Sequence, residues 1–289
     1  MMTFFEFLVR ELKLRGFYIL IALNAPSRKD KEKLIFLSLL SSIPRRVWLY
    51  ISKDIKKRIF GDPPFCLVKN VTVKIGGLKY RLTDGDSLRV INPQFEHHIQ
   101  KHLRLKCGDV FMDVGAHIGK YSIPIAKTIG DKGRVIAIEP NPTNFETLVW
   151  NIKENGLNNV VPLNIVAWNK NCKLKLFVAD TTASYTVKKD RGYGFITVKA
   201  KILDNVLKEL NVNRVDWMKI DVERAEYEVL KGLNDTIKKY RPKIIVEISK
   251  GNEEKIINFM RELGYVIQLI PPMLFEGPRY FFLAPERCF

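Results

Sequence analysis

The feature that most constrains this chain is a turn. An apolar run, Val110-Phe111-Met112, leads into Asp113-Val114-Gly115-Ala116-His117-Ile118-Gly119, and a helical pattern follows at once. Glycines after a strand let the backbone turn sharply and let a ligand approach the strand's carboxyl end closely. Beyond this turn, strand-length apolar runs alternate with helix-length segments, the pattern of a parallel sheet covered by helices on both faces. The expected strands are Val110–Val114, Arg134–Glu139, Val160–Ala167, Trp217–Asp221, Lys243–Ile248, Tyr265–Ile270 and Arg279–Ala284. Helices are expected at Phe95–Leu105, Tyr121–Thr128, Asn144–Glu154, Leu203–Leu210, Glu226–Leu233 and Glu253–Leu263. A hairpin, Lys173–Val178 with Ile196–Lys201, is expected after the third strand. The fold class is thus α/β, a doubly wound Rossmann-like sheet of seven mostly parallel strands, over residues 92–289.

Two further regions precede this domain. Residues 61–91 read as a β-hairpin linker, with strands Val71–Ile75 and Leu78–Leu82 around Gly76-Gly77. Residues 1–60 read as a basic amphipathic helical extension. They hold 13 basic and 5 acidic side chains, whereas the whole chain has 48 and 31, a formal charge of +17. Such a balance points to anionic partners: lipid, nucleic acid or a charged substrate. The apolar bursts 16–23 and 34–40 fall short of the roughly 20 residues that span a bilayer, and the first residues lack the basic region of a signal peptide. Peripheral contact through Trp48, Tyr50 and the neighbouring cations is one reading of the extension, and a helical cap on the main domain is the other. Cys66, Cys107, Cys172 and Cys288 form no C-x-x-C pair, so no zinc knuckle or disulfide framework is signalled and a cytoplasmic location is expected.

The glycine turn differs from the dinucleotide form G-x-G-x-x-G, because Asp113 precedes it by two residues and only Gly115 and Gly119 are glycines. It is closer to the S-adenosylmethionine form G-x-G-x-G with His117 in the middle place, and His tolerates the left-handed backbone that a β-branched residue resists. The following helix N-terminus would face the methionine carboxylate. Glu139 closes the second strand, where an acid can accept from both ribose hydroxyls of an adenosyl cofactor. Ala167 and Trp168, at the end of the third strand, are candidate contacts for the adenine ring, with core packing as the alternative for Trp168.

These residues resemble the FkbM family of S-adenosylmethionine-dependent methyltransferases. The similarity is carried by Asp113–Gly119, by Ile138-Glu139-Pro140-Asn141-Pro142 and by Lys219-Ile220-Asp221-Val222-Glu223-Arg224-Ala225-Glu226. It continues through Tyr227–Gly232 and Pro242–Ile248, and covers about Phe95 to Leu269. The resemblance implies a class I methyltransferase fold, S-adenosylmethionine as cofactor, Pro140 and Asn141 in the cofactor loop, and O-methylation of hydroxyls on sugars, glycolipids or other natural products. Two positions depart from the family: His117 stands where Asn is usual, and Arg224 where Gly is usual.

Methyl transfer from a sulfonium is an in-line displacement that needs positioning and a group to take the acceptor's proton. Asp221 and Glu223, at the carboxyl edge of the fourth strand, are candidates for that base, and Glu247 at the end of the fifth is a third. Asp221 is equally suited to positioning substrate or cofactor. His98 and His102 are four apart on an expected helix, a metal-ligand spacing without the glutamate that would complete it, and no metal ligand is assigned. An RNA or DNA methyltransferase is the rival reading, motivated by the charge and by Asp62-Pro63-Pro64-Phe65. That tetrapeptide works beside the cofactor after a strand, whereas here it precedes the glycine turn and reads as a helix-breaking linker. A non-catalytic, membrane-associated binding protein on the same fold is the second rival.

Overall fold

A computed structural model describes residues 19–40, 68–177, 186–188, 194–271 and 279–286. The chain divides into two compact units, Met1–Asn92 and Pro93–Phe289. The tetrapeptide Asp62–Phe65, the basic stretch Arg45–Arg58, Cys66 and Cys288 lie outside the described residues.

In the first unit, residues 19–24 are helical and α1 spans Arg28–Leu40. Ile19, Leu20, Leu23, Ile35 and Phe36 are exposed. No helix of the described residues is long and apolar enough to cross a membrane. The expected hairpin forms from β1 Thr72–Ile75 and β2 Leu78–Arg81, with Ile75 opposite Leu78. Gly76 and Gly77, at φ 56° and 81°, make the two-residue turn that this close register requires. The helix α2, Gly85–Val90, has no counterpart in the sequence expectations; it starts on a capping box in which Asp84 accepts from the Ser87 amide and Ser87 accepts in return.

The second unit is built on seven strands: β3 Val110–Val114, β4 Arg134–Ile138, β5 Val160–Leu163, β9 Trp217–Ile220, β10 Lys243–Ile248, β11 Tyr265–Ile270 and β12 Arg279–Pro285. Their spatial order is β11-β12-β10-β9-β3-β4-β5. All run parallel except β12, which pairs antiparallel with both β10 and β11. The chain winds outward from β3 through β4 to β5, then returns to β3's other side at β9. That reversal makes β3 and β9 the switch point, where a crevice opens beyond the carboxyl ends. Strand centres such as Phe111, Met112, Ile136, Met218 and Ile245 are fully buried, as strands covered on both faces must be.

The helices α4 Ser122–Ile129, α5 Pro142–Glu154, α6 Leu203–Glu209 and α9 Glu253–Glu262 fall where the sequence places them. Three expectations are corrected. The single strand Val160–Ala167 is two: after β5, Asn164 turns its amide onto the Glu139 and Pro140 carbonyls, and β6 Val166–Trp168 joins a separate sheet. That sheet, ordered β6-β8-β7, contains the expected hairpin as β7 Cys172–Phe177 and β8 Phe195–Ile202. The helix Glu226–Leu233 is likewise two, α7 Glu226–Lys231 and α8 Asn234–Tyr240. Between them Gly232 lies so near the Trp168 carbonyl that a β-carbon would come within 2.2 Å of its oxygen. Finally, Phe95–Leu105 is not one helix but the short α3, His97–Gln100, preceded by Glu96 in a left-handed conformation at φ 58°.

Candidate active site

The switch point brings together the turn after β3 and the loop after β9. Gly115 (φ 91°), His117 (φ 50°) and Gly119 (φ 97°) all have positive φ, so His117 does adopt a left-handed backbone. A β-carbon on Gly115 would stand 1.9 Å from the Asp221 carbonyl oxygen; the two loops touch backbone to backbone. Asp113 is buried, and burial raises its carboxyl pKa. Its Oδ2 accepts from Ser122 Oγ at 2.6 Å, while Oδ1 has no partner.

Glu139, one residue past β4 and 5% exposed, binds the neighbouring loops together. Its Oε2 accepts from the His117 amide at 2.7 Å, and Oε1 from the Asn141 amide at 2.9 Å and Asn144 Nδ2 at 3.4 Å. Burial pushes its carboxyl up to about 7 against those hydrogen bonds. Three donors leave one of a carboxylate's roughly four acceptor positions, fewer than both hydroxyls of a ribose would use. The adjacent Asn141 supplies the complement. Its Oδ1 caps α5 at the Thr143 amide, and its buried Nδ2 has no partner, a donor that a hydroxyl would satisfy. Pro140 precedes it in the same loop. An adenosyl cofactor's diol therefore fits the residues present.

A second cluster lies at the same sheet edge. Asp221 follows β9, Glu247 is the penultimate residue of β10, and antiparallel β12 places Tyr280 directly opposite Glu247. Glu96 enters from the turn before α3. Carboxylate oxygens of Glu96, Asp221 and Glu247 lie within 4.8 Å of one another. Lys219 Nζ donates to Asp221 Oδ2 at 2.7 Å, and Lys120 Nζ to Glu96 Oε2 at 2.7 Å. The hydroxyls of Tyr121 and Tyr280 also donate to Glu96, at 2.9 and 2.7 Å. Three oxygens so grouped could ligate a hard cation, yet the two ammonium groups already supply positive charge there.

The cluster sorts its acids into different states. Burial raises the Glu247 carboxyl well above the usual range, and the Asp221 charge to which it hydrogen-bonds raises it further. Burial acts on Glu96 in the same sense, but Lys120 and Lys219 outweigh it and hold Glu96 below the usual range. Burial depresses Lys120 to about 8 despite Glu96. Lys219 is lowered by burial yet raised overall by Asp221, Glu96 and Asp113.

The other expected residues have these surroundings. The Glu223 carbonyl accepts from Thr186 Oγ1 at 2.8 Å, and its carboxylate is not in the three-acid group. Ala167 is in the main core, and Trp168 packs on the small sheet's apolar core with Lys188 over its ring. His98 meets the Tyr280 ring edge-on and His102 lies beyond α3 against Phe282, so the two do not share a helical face. The residues missed by sequence reasoning are Glu96, Lys120, Tyr280 and Glu226. Glu226 is fully buried and ties the loop after β9 to that after β10, accepting from the Arg224 and Ser249 amides, Ser249 Oγ and Asn252 Nδ2. The only sequence signal for it was its place in the Lys219–Glu226 motif.

Strand order, the antiparallel β12, the glycine turn and the acid after β4 define a class I methyltransferase fold. Residues 113–267 match the model of the methyltransferase FkbM domain, more than half of the chain, and the chain belongs to that family. Its cofactor is S-adenosylmethionine. The chain is 31% identical over 147 residues to the hexuronic acid methyltransferase AglP of Haloferax volcanii, 51% of this chain and 59% of that protein. It is 33% identical over 156 residues to the tRNA(Phe) (4-demethylwyosine(37)-C(7)) aminocarboxypropyltransferase of Methanocaldococcus jannaschii, 51% of this chain and 61% of that protein. The chain thus spans less than two thirds of either relative. The crystal structure of a methyltransferase FkbM from Methylobacillus flagellatus KT superposes with a TM-score of 0.51 at 14% identity, over 93% of this chain and 58% of that one, a likeness of fold.

Proposed function

We propose that this chain methylates a hydroxyl oxygen of a sugar, glycolipid or other natural-product acceptor, with Asp221 taking the proton. The supporting observation is the division of labour among the three clustered acids. Glu247 is held protonated, and Glu96 is committed to Lys120 and two tyrosine hydroxyls. Asp221, held by Lys219, is the member of the group left to meet an acceptor, with its side chain 32% exposed. Glu223, outside the group, is set aside as base.

The turn Asp113, Gly115, His117 and Gly119 would hold the methionine end of the cofactor, and Glu139, Pro140 and Asn141 the ribose. S-adenosylmethionine, when bound, supplies an electrophilic sulfonium methyl. Lys219, 3% exposed, fixes the Asp221 carboxylate, and the neutral acid of Glu247 hydrogen-bonds to it as well. Asp221 then orients the acceptor hydroxyl and receives its proton as the oxygen attacks. The hexuronic acid methyltransferase among the relatives supports a carbohydrate acceptor.

The test is Asp221→Asn. Turnover should fall by roughly 10²–10⁴ while S-adenosylhomocysteine binds as before. Unchanged turnover removes the base assignment, and a methyl product that is an alkali-labile ester removes the hydroxyl acceptor. In the first unit, exposed Leu20, Leu23, Ile35 and Phe36 beside Arg28, Lys29, Lys31 and Lys33 support peripheral contact with anionic lipid, which vesicle flotation of the full chain tests.

A further inference from the structure

Resting on the sugar O-methylation reading above, we propose that the outer face of the β6-β8-β7 sheet docks the acceptor and takes an extended acidic glycan. The ligand class is a saccharide chain that carries a carboxylate or phosphate at intervals.

The face follows from strand alternation. Leu174, Leu176, Ile196, Val198 and Ala200 turn inward to the small sheet's own core. Their neighbours Lys173, Lys175, Phe177, Phe195, Thr197 and Lys199 therefore share the opposite face. Lysines guarding an edge strand are an ordinary device against aggregation and would account for those of β7. They do not account for Lys199 on β8, which is the central strand.

The register sharpens this. Lys173 stands directly opposite Lys199, and like charges so placed weaken a sheet. Lys201 is paired with Glu209 at 3.0 Å, but among the described residues no ion pair engages Lys173, Lys175 or Lys199. Lys173 and Lys175, about 7 Å apart along β7, and Lys199 across the ladder from Lys173 present three ammonium groups with no carboxylate partner among the described residues, which matches an extended polyanion. A bound anionic strand would relieve the repulsion between them.

The position of the face links it to the methyl site. Beyond β7, Phe177 forms a bridge to Thr186, and Thr186 forms a bridge to Glu223, in the loop that follows Asp221. One end of the charged face is thus hydrogen-bonded to the catalytic loop. At that end Phe177 and Phe195 meet edge to face at 6.2 Å, and the Lys175 ammonium sits 4.2 Å over the Phe195 ring. A single-stranded nucleic acid is recognised by flat stacking of bases on aromatic rings. Here the rings are engaged with each other and with Lys175, leaving point charges as the recognition elements. This favours a saccharide polyanion over RNA.

The experiment uses the full chain and three fluorescent probes: a decameric oligogalacturonate, a neutral malto-oligosaccharide of equal length, and a poly(U) decamer. Anisotropy should show binding of the oligogalacturonate that weakens steeply from about 50 to 200 mM salt, with the neutral probe unbound. Lys173→Ser with Lys199→Ser should cost about tenfold in affinity and flatten the salt dependence, without lowering the melting temperature, since it removes a repulsion. Lys199→Glu, which sets opposite charges across the strands, should raise the melting temperature and lower affinity together. Affinity unchanged in both variants, or equal binding of acidic and neutral probes, overturns the proposal. A poly(U) preference that the variants abolish also overturns it and gives the face to nucleic acid. Methyl transfer is read separately: oligogalacturonate binding that depends on Lys199 without any methyl ether product leaves the docking face standing and removes the hydroxyl-methylation reading. Methyl ether formation indifferent to the lysines does the reverse.

Discussion

The amide of His117 donates to Glu139 Oε2 at 2.7 Å, so the acid after β4 holds the glycine turn after β3 in place. A carboxylate expected to accept from the cofactor's ribose is therefore also a strut of the glycine turn proposed to hold the methionine end. Its protonation state acts on both roles.

From this follows a pH dependence. The Glu139 carboxyl sits near 7 in the folded chain, above the ordinary carboxylate value near 4.5. The stability attributable to this raised value is complete below about pH 4.5 and is lost as the pH rises through about 7, where the buried group must ionise. Donor binding runs the other way, because the ionised form is the stronger acceptor for a hydroxyl. Calorimetry should show S-adenosylhomocysteine binding more tightly at about pH 8 than at about pH 6, and Glu139→Gln should bind more weakly by roughly 1.5–3 kcal/mol with that dependence flattened.

Gly115 and Gly77 provide a contrast in what a glycine is for. Both have positive φ, but a β-carbon on Gly115 would collide with the Asp221 carbonyl, whereas Gly77 has open space around it. Gly77→Ala should cost about 1 kcal/mol, from backbone strain alone. Gly115→Ala should cost several times that and lower turnover, because Asp221 must move. Urea unfolding of the two variants with a methyl-transfer assay checks both effects.

Arg224 stands where the resemblance to the FkbM pattern leads one to expect glycine, and its backbone conformation suits glycine: φ here is 69°. The arginine backbone bears a strain that glycine would not. Arg224→Gly should be stabilising by about 1 kcal/mol, seen as a raised urea midpoint at constant m-value. A loss of stability would mean that the guanidinium has a compensating role.

Much of this site could be read from the chain because it is made of strand ends. Asp113, Glu139, Asp221 and Glu247 each close or nearly close an apolar run, and the parallel sheet carries all four to one edge. Glu96 and Tyr280 were not legible, for two distinct physical reasons, and Lys120 enters the cluster only through Glu96. Glu96 depends on a left-handed residue in a polar stretch that reads as helix. Tyr280 depends on one strand running antiparallel, which puts the beginning of β12 at the end of β10. The division of β5 from β6 was hidden because Val160–Ala167 reads as a continuous strand, while the side chain of Asn164 decides where it breaks.

Lys219 should be the cluster's main structural cation. It is almost fully buried, donates to Asp221 at 2.7 Å and packs over the Tyr121 ring at 4.6 Å. Lys219→Met would leave Asp221, Asp113 and Glu96 without its charge. Breaking such a pair by removing one partner costs about 3–5 kcal/mol when fully buried, and the lower end applies because Asp221 is partly solvated. Equilibrium unfolding in urea measures the loss. A cost under about 1 kcal/mol would show that water already neutralises the pair.

The Asp221–Glu247 pair yields the sharpest distinction, between a proton donor and a second carboxylate. Burial and the Asp221 charge both favour the neutral acid at Glu247, so in the proposed mechanism it serves as a donor to Asp221. Glutamine is nearly isosteric and also donates. Glu247→Gln should therefore retain turnover within about threefold near neutral pH, while Glu247→Ala, which removes the donor and leaves space beside Tyr280, should lose roughly 10- to 100-fold. Were Glu247 instead the ionised base, glutamine would abolish turnover as thoroughly as alanine. Steady-state kinetics of the two variants, with S-adenosylhomocysteine affinity as the control for folding, decides between these states of one carboxyl group.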